Sequence, residues 1–265
     1  MKRLIALLAL VPGLALAQAS ENVKLDSAPI DVRDVASLQA GARTFVNYCL
    51  SCHSASMVRY NQLENLGLTE SQIKNNLLFA ADKVGELMNV AMSKKDAKEW
   101  FGAAPPDLSV IARSRGADWL YTYLRAFYRD PKTVTGWNNL AFPNVAMPHV
   151  LWTLSGSAVL DEREFKTEEA AQAAKLQTRG FSVIEESGEG AQTRYVLRTT
   201  KLESPGALTP VQYDATVRDL VNFLVWMAEP NQVLRKQVGI VVTLVLTILI
   251  VLTYLLYKEF WKDVH

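Results

Sequence analysis

The chain of 265 residues is poor in the residues that build most metal and redox sites: it has two cysteines and three histidines. Two thiols cannot complete a zinc site of mostly thiolate ligands, nor hold an iron–sulfur cluster by four cysteines. There is no internal repeat and no excess of basic charge. The 28 basic residues become 26 against 27 acidic ones once Lys2 and Arg3 are set aside with a leader segment. A near-neutral chain with scattered charges lacks the basic stripe that phosphate binding requires, so a nucleic-acid partner is excluded.

What is present is concentrated in a few stretches. The two cysteines stand together in Asn47-Tyr48-Cys49-Leu50-Ser51-Cys52-His53. Cys-x-x-Cys alone would also suit a thioredoxin-type redox pair or half a zinc site. The first needs a βαβ setting, which is missing around residues 40–60, and the second needs further thiols. Cys-x-x-Cys-His is the attachment signal for c-type haem. Each thiol adds to one porphyrin vinyl group as a thioether. The spacing lets one helical turn present both sulfurs, and His53 follows as the proximal iron ligand.

A sixth ligand is sought elsewhere. Met147 lies in the loop Phe142-Pro143-Asn144-Val145-Ala146-Met147-Pro148-His149, locked on its far side by Pro148. Met57 is too near His53 to reach the opposite face, and Met88, Met92 and Met227 read as core residues in helical patterns. Met147 and His149 therefore both stay open as ligands on position alone.

The ends define a compartment. Residues 1–17 combine Lys2 and Arg3 with the apolar run Leu4–Val11 and the small-x-small motif Ala15-Leu16-Ala17, the pattern of a signal peptide cleaved after Ala17. Val238 to Tyr257 are twenty residues without a charge. At about 1.5 Å per residue they span the ~30 Å hydrocarbon layer. The expected order is signal peptide (1–17), periplasmic haem domain (18–237), transmembrane helix (238–257) and cytoplasmic tail (258–265), in a bacterial inner membrane.

Between the ends, periodicity predicts a helix over Val35–Tyr48 with Leu38, Ala42 and Phe45 on one face. Thr69 and Gln72 read as a capping box, as do Thr209 and Gln212 ahead of a long helix carrying Val217, Leu220, Val221 and Leu224. Pro105-Pro106 fixes an extended segment, followed by helices over Asp107–Arg115 and Trp119–Tyr128. Glu162–Arg179 reads as a charged helix. Phe181–Ile184 and Arg194–Arg198 flank Ser187-Gly188-Glu189-Gly190 as a β-hairpin.

Taken together the chain resembles the cytochrome c1 family, the haem subunits of ubiquinol–cytochrome c oxidoreductase. The resemblance rests on Cys49-Leu50-Ser51-Cys52-His53-Ser54, Pro105-Pro106-Asp107-Leu108-Ser109 with Arg113 and Arg115, Met147-Pro148, and Phe223–Pro230 ahead of one C-terminal span. It implies a mainly α, class I-like cytochrome c domain with a small β-hairpin insertion and one C-terminal transmembrane helix. It implies one haem c on Cys49 and Cys52, ligated by His53 and Met147, with Pro106 packed on the haem and Arg115 paired with a propionate. Its implied partners are cytochrome b, a Rieske iron–sulfur protein and a soluble c-type cytochrome, in a dimeric complex. The rival expectations are a generic tethered cytochrome feeding a terminal oxidase, and a haem sensor or peroxidase with a labile sixth site. The chain departs from the family pattern at Asn61 after Tyr60, in the shortened Gly116-Ala117-Asp118-Trp119, and in a long segment over 155–208.

Overall fold

The computed structural model describes residues 25–178, 180–188 and 193–263. The expected signal peptide lies outside the described residues.

Helix α1 (Val35–Tyr48) starts where the Asp34 carboxylate accepts from Ser37 N, and it runs directly into the Cys-x-x-Cys-His turn. Its expected face is buried: Leu38, Ala42 and Phe45 are all at 2% exposure or less. Strand β1 (Ala55–Arg59) and a 3₁₀ turn (Tyr60–Leu66) follow, then α2 (Glu70–Asn76), whose Thr69–Gln72 capping box is complete. Strand β2 (Leu87–Met88) pairs antiparallel with β1, and α3 (Lys94–Phe101) follows. Met88 is thus a strand residue, fully buried, and Met92 lies in a bend before α3 rather than in a helix.

The next helix is shorter than expected. Residues 107–110 stay outside α4 (Ile111–Arg115) because Asp107 uses its carboxylate to hold Ser109 N and Ser56 N, at 2.8 and 2.9 Å. That side chain stitches the segment to β1 and offers the backbone an alternative to helix. Gly116, at φ +88°, separates α4 from α5 (Ala117–Arg125). α5 stops at Arg125, and Phe127–Arg129 is strand β3, paired antiparallel with β4 (Trp137–Asn139).

After the short α6 (Trp152–Ser155), the chain forms β5 (Gly156–Phe165), α7 (Glu168–Leu176), β6 (Ser182–Ser187) and β7 (Arg194–Pro205). The helix expected from Glu162 therefore begins only at Glu168. Residues 162–165 belong to a ten-residue strand with antiparallel pairing to β7 along its whole length. β6 pairs antiparallel with β7, and the five strands form one sheet in the order β4-β3-β5-β7-β6. The protein is thus helical with a substantial sheet.

Helix α8 (Pro210–Ala228) opens on the Thr209–Gln212 capping box with proline in its first turn. It is the central strut of the core. Val217, Leu220, Val221, Phe223 and Leu224 are buried, and Phe223 meets Phe45 of α1 at 5.6 Å. The two helices touch closely at Gly41. A Cβ there would lie 2.0 Å from the Asp219 carbonyl oxygen and 2.6 Å from Phe223 Cβ. At the other end of α8, Arg125 bridges Asp214 and Asp26 at 2.6 and 2.9 Å, and the Tyr213 hydroxyl donates to Leu124 O at 2.7 Å. Helix α9 (Gln232–Phe260) follows after three residues, long and apolar enough to cross a membrane.

Candidate functional site

The haem-attachment turn is a continuation of α1. Cys49 N donates to Phe45 O, and Cys52 N and His53 N both return to Cys49 O, at 3.0 and 2.9 Å. One tight turn therefore carries both thiols and the imidazole. Cys49 and Cys52 are free thiols. Burial, helped by the neighbouring Cys52, pushes the Cys49 thiol up to about 12.

His53 is oriented from across the chain. Its Nδ1 lies 2.7 Å from the Pro106 carbonyl oxygen. A carbonyl can only accept, so Nδ1 carries the proton and Nε2 keeps its lone pair. Burial lowers the His53 pKa, against smaller opposing effects of the Pro106 carbonyl and Asp107. Two features thus favour a neutral imidazole with Nε2 as donor. Pro106 contributes through its backbone, held by the turn in which Asp107 caps Ser109; that carbonyl contact was not legible as such in the Pro-Pro-Asp motif. Cys52, Ser54, Val90, Pro105, Pro106 and Asp107 are among the residues lining a cleft of about 500 Å³ beside the attachment turn.

The other sequence-predicted residues form a second group. Met147 is half-buried, and the Tyr123 hydroxyl donates to its Sδ at 3.3 Å. Tyr123 stacks on Trp119 at 4.7 Å, and the Arg115 guanidinium lies 5.0 Å over the Trp119 ring and 6.0 Å from Phe142. The Met147 and attachment-turn groups join the same core: Tyr123 and Cys49 are among its buried members, and Met147 and Trp119 pack against it.

The loop carrying Met147 is shaped by two asparagines that the sequence did not single out. Asn138 Oδ1 accepts from Asn139 N and Asn144 N, while Asn139 Oδ1 accepts from Ala141 N and Phe142 N. Asn139 Nδ2 donates to Tyr123 O at 2.8 Å, fastening the loop to α5. Asn144 adopts φ 61°, a left-handed position that asparagine tolerates. The only available signal was the Asn-Asn pair itself, ahead of a proline-containing loop.

His149 is engaged elsewhere. Its Nε2 lies 2.8 Å from the Ser155 hydroxyl and its ring stacks on Phe127 at 4.8 Å, with Trp137 edge-on. Burial pushes its pKa down to about 4. Met57 is 69% exposed on β1.

This donor set fits a haem covalently held and axially ligated. Two free thiols share one turn, one imidazole is fixed in the required tautomer, and one thioether sits in a pinned loop.

The comparison with known proteins follows the same lines. The family model described as "Cytochrome C1 family" matches residues 26–175 and 207–264. The chain belongs to the cytochrome c1 family. It is 43% identical to cytochrome c1 of Allochromatium vinosum over 267 residues, covering 100% of this chain and 99% of the relative. It is 46% identical over 247 residues to a protein of Nitrosomonas europaea named ammonia monooxygenase gamma subunit, covering 93% and 92%. Cytochrome c1 of Rhodospirillum rubrum is 27% identical over 253 residues, covering 87% of this chain and 83% of that one. The protein is accordingly a haem subunit of the cytochrome bc1 complex, with covalently bound c-type haem, acting in electron transfer. The C-terminal apolar helix fits membrane anchoring.

The family match is interrupted at residues 176–206, which contain β6 and β7. Of the long segment noted over 155–208, β5 and α7 up to Lys175 fall inside the match, and β6 and β7 fall outside it.

Proposed function

We propose that this chain takes one electron from a Rieske iron–sulfur protein and passes it to a soluble c-type cytochrome, in a dimeric complex with cytochrome b. In this reading Cys49 and Cys52 carry the thioethers, and His53 and Met147 are the axial ligands of a class I-like cytochrome c domain. Arg115 offers its guanidinium to a propionate, and Pro106 holds His53. Residues 1–17 are removed, residues 18–237 face the periplasm, residues 238–257 span the inner membrane and the tail from Lys258 is cytoplasmic.

The observation that carries the reading is the attachment turn with its fixed imidazole. Bound haem supplies a reversible one-electron couple at iron. The chain's residues do the rest. His53, held by Pro106, and Met147, held in its asparagine-pinned loop, would be the two residues that hold the iron, and with both in place no position would be left for small ligands. His149 is disfavoured as a ligand because Ser155 takes its Nε2 and Phe127 covers one ring face.

Met147→Leu tests the ligand assignment. It keeps volume and removes the sulfur, so the potential should fall and the ferric sulfur-to-iron band in the near infrared should vanish. Survival of both would return the sixth position to His149. Purification from membranes tests the partners: cytochrome b and a Rieske protein should accompany the chain. The name of the Nitrosomonas europaea relative suggests a second reading, in which a monooxygenase accompanies it instead. Carbon monoxide binding to the reduced protein at neutral pH would instead favour a haem sensor or peroxidase with an open or labile sixth position.

A further inference from the structure

Among the described residues the Tyr123 hydroxyl has one hydrogen-bond acceptor, the sulfur of Met147, 3.3 Å away. The ring delivering it cannot easily swing aside. It is 8% exposed, stacked on Trp119 at 4.7 Å and met edge-on by Phe127 at 5.1 Å. Its backbone is fastened to the methionine loop through Asn139. A phenol donating to a thioether inside a packed aromatic stack is a specific arrangement. A leucine or phenylalanine at position 123 would fill the same space without any polar group to satisfy.

We infer that Tyr123 is a positioning residue that raises the reduction potential of the haem by donating its hydroxyl proton to the sulfur of Met147. The inference rests on Met147 being the sixth ligand. A thioether sulfur has two lone pairs. If one is given to iron, the other is free to accept Tyr123 O–H, and the hydrogen bond also fixes which of the two faces the metal. The bond draws density from sulfur and weakens its donation. Ferric iron depends on that donation more than ferrous iron does, so the reduced state gains. No covalent change is involved, and the proton stays on the tyrosine.

The test uses the full-length haem protein in detergent, with Tyr123→Phe, with 3-fluorotyrosine placed at position 123 alone, and with Met147→Leu. Potential, the near-infrared sulfur-to-iron band and the melting temperature are measured on each. Tyr123→Phe keeps the ring stack, so the band should persist. The equilibrium should move about three- to tenfold towards the ferric state, about 30–60 mV at ~59 mV per tenfold change for one electron. The fluorinated phenol is a stronger donor and should move the potential the other way. It keeps the hydroxyl and nearly the same shape, so it carries the test even if Tyr123→Phe fails to assemble. An unchanged potential in Tyr123→Phe with the band intact overturns the inference, as do shifts of the same sign in both tyrosine variants, or no rise with fluorotyrosine. Met147→Leu tells the two failures apart. If it retains the band, the ligand assignment is wrong; if it loses the band while the tyrosine variants leave the potential alone, only the role of Tyr123 is wrong.

Discussion

Gly41→Ala is the smallest change that should disturb both the core and the haem turn. The added methyl would sit 2.0 Å from Asp219 O, 2.6 Å from Phe223 Cβ and 2.7 Å from Asp219 C. Two of these atoms are backbone of α8, so no side-chain rotation relieves them. Relaxed contacts between such atoms lie at about 3.5–4.0 Å, so α1 and α8 must separate by at least about 1 Å. Overpacking of this kind costs ~1–3 kcal/mol. Alanine gives back ~0.5–1 kcal/mol through its better helix propensity. A backbone clash belongs at the upper end of the range, which leaves a net loss of ~2 kcal/mol. For a domain of this size that corresponds to a melting temperature lower by ~4–8 °C. The assay is thermal unfolding of the detergent-solubilised protein, followed by far-UV circular dichroism. Gly85→Ala is the control, because a methyl there meets nothing within 4 Å. Since α1 leads straight into Cys49, the Gly41 variant should also alter the Soret spectrum. An unchanged melting temperature and spectrum would refute the claim that the helix contact at Gly41 fixes the haem turn.

Two further outcomes are expected. Cys49→Ser with Cys52→Ser should yield a polypeptide that loses all its haem to acidified acetone, whereas the parent keeps haem through denaturation; quantitative extraction from the parent would refute covalent attachment. Glu168→Lys with Glu169→Lys should slow reduction of a basic soluble cytochrome c at low salt and have little effect once the Debye length shortens to ~8 Å, with the haem potential unchanged, as stopped-flow and redox titration would show. An unaltered low-salt rate would make the acidic face of α7 purely structural.

The structure narrows the basis of that last expectation. Three acidic groupings are visible in the sequence around residues 161–189. In the fold, Asp161 pairs with Arg163, Glu164 with Arg194, and Glu162 and Glu185 both with Arg198. Three of those carboxylates, Glu162, Glu164 and Glu185, cross-link strands of the sheet, and Asp161 pairs within β5, so the four are not an open field. The charges of Glu186, Glu168 and Glu169 instead add to desolvation in raising the Tyr195 pKa.

The same pairs explain why part of the fold was hard to read. Glu162–Phe165 has helix-favouring composition, yet Glu162 stands directly opposite Arg198 and Arg163 opposite Leu197. Partners 36 residues apart, as Glu162 and Arg198 are, decide the conformation, and no local window contains them. The aromatic period of α5 likewise runs on into Phe127 and Tyr128, where pairing with Asn139 and Asn138 takes over. Local signals were faithful where the determinants are local: the two Thr-x-x-Gln caps, the Leu38–Ala42–Phe45 face, and the Cys-x-x-Cys-His turn. The contact of Tyr123 with Met147, 24 positions apart, depends on how the chain between them folds, and nothing in either motif announces it.

The junction between α8 and α9 has a consequence for motion. Only Glu229, Pro230 and Asn231 separate the two helices. Even this short piece is bonded: Glu229 N donates to Trp226 O, Gln232 N donates to Glu229 O, and Arg235 reaches back to the Glu229 carboxylate. Fully extended, three residues reach no more than ~11 Å. The same α8 is locked against the helix that leads into Cys49. With α9 seated in a membrane, the haem turn would be tethered to it through one helix pair and a three-residue bonded link, so an approaching redox partner would meet a landing stage on a short leash.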